Sequence, residues 1–139
     1  MMNNPKTIAQ SLIKLLEDEE VATFGTDLFY GKVPDSKKVP EEIYWVEPLV
    51  TSTRAHNVTG EDTLRCPFLI YFRSTSVQSV DEHMFELTKL FTSLHCTDLD
   101  GFTTVDIALR TGTQSLFFDN ENRAVSSVIV TLTVYNINK

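Results

Sequence analysis

The chain has 139 residues, 42% hydrophobic and 22% charged, which suits a single folded domain over 1–139 and excludes a disordered polymer. Its 12 basic and 19 acidic residues leave a formal charge of −7, which argues against a surface that grips nucleic-acid phosphates. No apolar run approaches the roughly 18 residues of a membrane span, and MMNNPKTIAQ lacks the basic and then apolar blocks of a signal peptide, so a cytosolic protein is expected.

The first element reads as a helix. Thr7 and Gln10 fit a capping box, and Ile8, Leu12, Leu15 and Leu16 recur on one face. The acidic run EDEE, residues 17–20, should end it, because carboxylates oppose the dipole at a helix C-terminus. The next stretch, DLFYGKVPDS at 27–36, reads as a strand stopped by Gly31 and Pro34. IYWVEPLV, residues 43–50, is aromatic and β-branched and reads as a second strand, with Pro48 pointing to an edge or a bulge. Residues 51–62, TSTRAHNVTGED, are polar throughout and are expected to form a long connection.

In the third strand, Leu64, Cys66, Phe68, Ile70 and Phe72 face one way, and Arg65, Pro67, Leu69, Tyr71 and Arg73 face the other. Ser79 and Glu82 form a second capping box. Val80, Met84, Leu87, Phe91 and Leu94 then give an amphipathic helix. Beyond the turn TDLDG, the strand TTVDIALR should turn Val105, Ile107 and Leu109 inward. A short strand at 115–118, the polar turn DNENR and the long strand VSSVIVTLTVYNI complete the chain. In that last strand Val128, Val130, Leu132 and Val134 share a face. The expected fold is α+β, a mainly antiparallel sheet of about five strands flanked by two helices in the order α-β-β-β-α-β-β.

Signals for catalysis are few. Zinc sites place paired ligands at short spacing; His95, Cys96 and Asp98 with a distant Cys66 do not, so no metal is expected and the thiols read as buried packing groups. His83 in the sequence DEH suits helix capping better than an acid/base pair. No nucleophile elbow, metalloprotease motif, phosphate loop or dinucleotide fingerprint occurs. Asn57-Val58-Thr59 matches a glycosylation acceptor, of no consequence in a cytosolic protein. No catalytic residue and no cofactor is therefore expected. What the strands do carry is aromatic and apolar surface, at Tyr30, Tyr44, Trp45, Tyr71, Phe117 and Ile129, on faces that two helices need not cover. Such a surplus is accounted for by subunit contact or by burial within the chain.

With the helix leading to GTDLFYGKVPDS, then IYWVEP, a polar loop, FLIYFRS, a helix and a late strand pair ending in VIVTLTVYN, the chain resembles the lambda-type tail terminator and minor capsid proteins of tailed bacteriophages. The resemblance runs from about residue 8 to residue 137, and LFYGKVPDS is its most telling phrase. It implies a structural virion protein of the tail or neck, assembled in the host cytoplasm. It also implies a ring, usually of six subunits, that stops tail-tube polymerisation and offers the docking surface for the head. The implied partners are further copies of the chain, the major tail tube protein and the head-completion or connector protein, with DNA passing through an acidic lumen unbound. Candidate interface residues are Tyr30, Trp45, Arg54, Phe117 and Arg123. Another neck or joining component, or a small cytosolic α+β enzyme or ligand-binding domain, remain the alternatives.

Overall fold

The computed structural model describes residues 7–34, 39–49, 53–56, 62–94, 104–110 and 116–135. Helix α1, Ile8–Asp18, begins at Thr7, whose hydroxyl accepts a hydrogen bond from the Gln10 amide at 3.1 Å. Its buried face is wider than the expected stripe, because Ile13 joins Ile8, Leu12 and Leu16 in the core. The helix runs through Glu17 and Asp18 before it stops, and Lys14 answers Asp18 at 2.8 Å one turn earlier.

Strands β1 (Leu28–Tyr30), β2 (Ile43–Pro48), β3 (Thr53–His56) and β4 (Asp62–Ser74) precede helix α2 (Val77–Ser93); β5 (Thr104–Arg110), β6 (Leu116–Phe118) and β7 (Ala124–Tyr135) follow it. All seven strands form one sheet with the path β1-β2-β4-β7-β5, β3 pairing β4 and β6 pairing β7. The fold is α+β as expected. Two long central strands, β4 and β7, pair antiparallel from Thr63↔Tyr135 to Ser74↔Ala124, and each carries two shorter strands end to end along its outer side.

Two expectations need correction, and one strand pair departs from the sheet's main direction. The polar stretch 51–62 contains strand β3, which backbone pairing holds on β4 from Thr53↔Arg65 to His56↔Asp62 without an apolar alternation to announce it. Strand β1 pairs parallel to β2, an exception in an otherwise antiparallel sheet. The cap of α2 lies one turn earlier than expected. Ser76, not Ser79, is the N-cap, and its hydroxyl accepts from the Ser79 amide at 3.2 Å, so Ser79 is already inside the first turn.

One core holds the layers together. Leu12 and Leu16 of α1 and Val80, Met84, Leu87 and Phe91 of α2 pack with Val46, Ile70, Phe72, Ile107, Val128, Val130 and Leu132 of the sheet. Every sheet residue in that set comes from one face, as period-2 alternation requires, so both helices lie on the same side. Leu109 packs against the cluster from its margin. The register of β5 shifts between Thr104 and Asp106, and the side chain of Val105 lies outside the described residues.

The opposite sheet face is not bare. At one end, Ile43, Arg73 and Val125 are buried side by side on β2, β4 and β7. Arg73 fastens the segment before β2 over them, donating to the carbonyls of Pro40 at 2.9 Å and Glu41 at 3.3 Å.

Candidate assembly surface

Sequence and structure agree that β1 ends sharply at Tyr30. Gly31 follows with φ of +78°, a left-handed conformation that costs a side-chain-bearing residue free energy, and its amide donates to the Val46 carbonyl at 2.7 Å. A Cβ at Gly31 would meet nothing within 4 Å, so the requirement is conformational and not steric. The arrest leaves Tyr30 40% exposed on the outermost strand at one edge of the sheet.

Trp45 is half-buried on the face away from the helices. Its ring stacks on Tyr71 with centroids 4.7 Å apart and planes 10° from parallel, and its indole N–H donates to Glu47 Oε2 at 2.8 Å. Partial burial, and then the Glu47 carboxylate, push the Tyr71 phenol up. Leu69 and Ile129 continue the same face as a register pair on β4 and β7. This strip is aromatic, ordered and partly accessible.

The far edge carries β6. Strand alternation turns Phe117 toward the open face, level with Val125, and Leu116 and Phe118 toward the helix side, level with Ser126 and Ala124. All three are exposed, at 49%, 44% and 55% for Leu116, Phe117 and Phe118. Three consecutive large apolar residues open to solvent on both faces of a strand are unusual for a monomer and make β6 a candidate contact surface. Of these only Phe117 stood out in the sequence, because alternation assigns one face of a strand to solvent and gives no reason to expect both to be uncovered.

The expected interface residues thus separate onto two edges: Tyr30 and Trp45 lie near β1, Phe117 and Arg123 near β6. Arg54 occupies β3 in register with Leu64, with its side chain outside the described residues. Arg123 is engaged within its own chain. Its Nε donates to Asp119 Oδ2 at 2.8 Å, and its guanidinium lies 3.3 Å from Glu121 and 3.6 Å from Glu41. Asp119 also accepts from the amides of Glu121 and Arg123, closing the DNENR turn that the sequence announces. Burial pushes its carboxyl up, but those hydrogen bonds and the guanidinium outweigh it and hold Asp119 below the usual carboxylate range. Asn122 takes the left-handed position, φ +66°, that Asn tolerates best after Gly.

Two of these candidates, one aromatic and one aliphatic, are covered within the chain. Tyr44, 5% exposed, faces the helices and packs its ring 4.6 Å from Phe72; Ile129 is 9% exposed. Conversely, Phe85 on α2 is 62% exposed, a residue that falls off the Val80–Met84–Leu87–Phe91 stripe and was legible as exposed on that ground.

His83 belongs to a cluster that fastens the start of α2. Glu42 Oε2 accepts from the hydroxyls of Ser74, at 2.8 Å, and Ser79. The hydrogen bonds from Ser79 and then Ser74 hold the Glu42 carboxyl below its ordinary value. His83 Nδ1 donates to the Ser79 carbonyl at 2.7 Å, and its ring stacks on Phe72 at 4.1 Å. With its Nδ1 proton committed to a carbonyl and the Ser79 hydroxyl committed to Glu42, this His–Ser pair is not set up for proton abstraction from the serine. These residues lie 32 and 37 positions from Glu42, which is why no local motif revealed them. A cavity of about 580 Å³ opens beside His83. His95, Cys96, Asp98 and the Asn57 sequon lie outside the described residues; Cys66 is buried in the core. Among the described residues no group of three or more His, Cys, Asp or Glu is placed to hold a metal, and no helix is long and apolar enough to cross a membrane.

No protein-family model matches the chain, and comparison with curated proteins yields no match either. Among solved structures, the fold is similar to a chain of the virion of a native gene transfer agent (GTA) particle, with a TM-score of 0.67 at 12% sequence identity. The similarity covers 95% of this chain and 100% of that one, so the two share the same architecture from end to end.

Proposed function

We propose that the protein is a non-enzymatic structural component of a phage virion, a tail terminator that assembles as a ring on the head-proximal end of the tail tube. The observation that carries this reading is the end-to-end fold similarity to a chain of a gene transfer agent virion. The surface described above supports it. One sheet edge ends in Tyr30 and the other in the exposed strand Leu116–Phe118, two different apolar edges on opposite sides of one subunit. Unlike patches so placed suit heterologous, head-to-tail contacts, which close into a ring when the rotation per subunit divides a full turn.

In this reading the ring contains six copies, stops addition of the major tail tube protein, and presents its other rim to the head-completion or connector protein. DNA passes through the lumen without a specific contact. The charge of −7 favours that passage, since acidic walls repel phosphate. No cofactor takes part, and Tyr30, Trp45, Arg54 and Phe117 contribute to contacts between proteins, with Arg123 holding the hairpin behind Phe117.

Sedimentation velocity of the purified chain, alone and with tube protein, tests the reading. A closed oligomer of about six copies, formed alone or on tube ends, is expected. A strict monomer under both conditions overturns it. A different neck component would bind the connector protein but leave tube growth unaltered, which separates that alternative.

A further inference from the structure

We propose that β6 accepts an extended strand of another polypeptide of the assembly, apolar beside Leu116–Phe118 and basic where it passes the Asp119 turn. That the strand comes from an assembly partner rests on the function proposed above. Its chemistry follows from the two edges of the sheet.

The hairpin between β6 and β7 decides which backbone groups face outward. The Asn122 amide donates to the Asp119 carbonyl at 2.9 Å, and the Asp119 amide donates to the Arg123 carbonyl at 3.0 Å. Antiparallel pairs alternate from there. Phe117 therefore exchanges its bonds with Val125, and the N–H and C=O groups of Leu116 and Phe118 point away from β7. Among the described residues no strand pairs with that side, and no backbone hydrogen bond outside the β7 ladder reaches Leu116 or Phe118. Exposed edges are commonly blunted by a charge, a proline or a bulge; Leu-Phe-Phe supplies none of these.

The opposite edge is closed by its own chain. On β1 the outward residues are Leu28 and Tyr30, because the Asp27 carbonyl and the Gly31 amide bond to β2. The Leu28 amide donates to the Thr23 carbonyl at 3.1 Å, and the Leu28 carbonyl accepts from the Gly25 amide at 2.9 Å. The Tyr30 carbonyl accepts from the Lys32 amide at 2.9 Å. A neighbouring copy therefore cannot lay its β1 on β6 as a paired strand, although the two edges can still meet through side chains. Pairing of β6 with a second β6 would cover on the order of 300 Å² of side chain per copy, against about 800 Å² per partner in a stable complex. The edge is instead matched to one strand of a chain that other contacts hold nearby. The Phe117 ring, on the opposite face from Leu116 and Phe118, stays available to the subunit contact proposed above.

Charge selects the strand. Beside Phe118, the carboxylates of Asp119, Glu121 and Glu41 surround the single guanidinium of Arg123, three negative charges against one positive. The side chains of Glu121 and Glu41 stay 71% and 62% exposed. Asp119 follows Phe117 at period two, so an incoming residue level with Asp119 turns its side chain toward this cluster. Antiparallel addition, the commoner pairing, puts that basic residue at the N-terminal end of the incoming strand, ahead of the apolar residues that cover Phe118 and Leu116.

Amide hydrogen exchange and calorimetry on the whole chain test the proposal. The probes are acetyl-Lys-Val-Thr-Val-Thr-amide, the same peptide N-methylated at both valines, and the same peptide with glutamate replacing lysine. In the free chain the Leu116 and Phe118 amides should exchange fast beside a protected Phe117 amide, and saturating lysine peptide should slow both at least about tenfold. The N-methylated peptide should bind at least about tenfold more weakly, having lost two backbone donors, and the glutamate peptide about threefold or more. Slow exchange at Leu116 and Phe118 in the dilute free chain means that the edge is already covered and overturns the proposal. So does slowing at both as the chain alone is concentrated, which assigns the edge to a second copy. Equal binding of the N-methylated peptide means side-chain contact only, and equal binding of the glutamate peptide means a partner not chosen by charge; either result overturns the proposal. Ring formation is read separately by sedimentation, so failure of the strand proposal is distinguishable from failure of the ring.

Discussion

Replacing Phe117 with threonine separates subunit contact from folding, because threonine retains the preference for a strand but removes the ring. Phe117 is 44% exposed on a three-residue strand whose inner neighbour is Val125. A phenylalanine side chain carries on the order of 200 Å² of surface, so roughly 90 Å² of this one is available to a neighbouring subunit. Covering it contributes at most about 2 kcal/mol per contact at about 25 cal/mol per Å², or about 30-fold in the dissociation constant of one interface. Within the monomer the loss is a cross-strand pair with Val125, worth about 1 kcal/mol or less. Sedimentation velocity over a concentration series, with chemical denaturation of the same samples, reads both quantities. Assembly should shift to about 30-fold higher concentration while the unfolding midpoint moves little. Unchanged assembly with a monomer destabilised by several kcal/mol would refute the reasoning and return Phe117 to the core.

Glu42 and Asp119 are both held below the usual carboxylate range in the folded chain, so each stabilises the fold at neutral pH and loses that contribution as the pH falls through its folded value. Stability should therefore be level from neutral to about pH 4 and decline below it. Glu42→Gln should flatten the decline, and an unchanged acid limb in urea titrations would exclude Glu42 as a source. Arg123→Met removes the guanidinium that joins Asp119, Glu121 and Glu41, at a cost of about 1–2 kcal/mol after allowance for solvent screening. Hydrogen exchange should then speed up across residues 116–123, and uniform exchange would show that the turn is held by its backbone alone. Gly31→Ala meets open space but must keep φ at +78°, so it should cost about 1–2 kcal/mol, and a neutral result would mean that the chain turns differently after Tyr30.

The elements legible in the sequence are those whose side chains alternate between core and solvent. Cys66, Phe68, Ile70 and Phe72 on β4, and Val128 to Val134 on β7, signal their buried face at period two, and Val80 to Phe91 do so at helical spacing. Strand β3 is invisible by that test, because polar Thr53–His56 is held by backbone pairing on an edge. Tyr44 looked like surplus aromatic surface because it neighbours Trp45, yet strand alternation sends the two to opposite faces and the helices cover only one. The Glu42–Ser74–Ser79–His83 cluster depends on contacts between elements far apart in the chain, which no local motif encodes. Of the proposed assembly surface, the arrest of β1 at Gly31 was readable from a glycine followed by a Pro-Asp turn, whereas exposure of β6 on both faces depends on what the fold leaves uncovered.

The most direct test of the terminator reading is tail-tube growth in the presence of the chain. Purified tube protein is allowed to polymerise with and without it, and tube lengths and tube ends are measured by electron microscopy. Tubes that stop growing and carry a ring of this protein at one end are the expected result. Tubes that grow to the same lengths with both ends bare would contradict the proposed function.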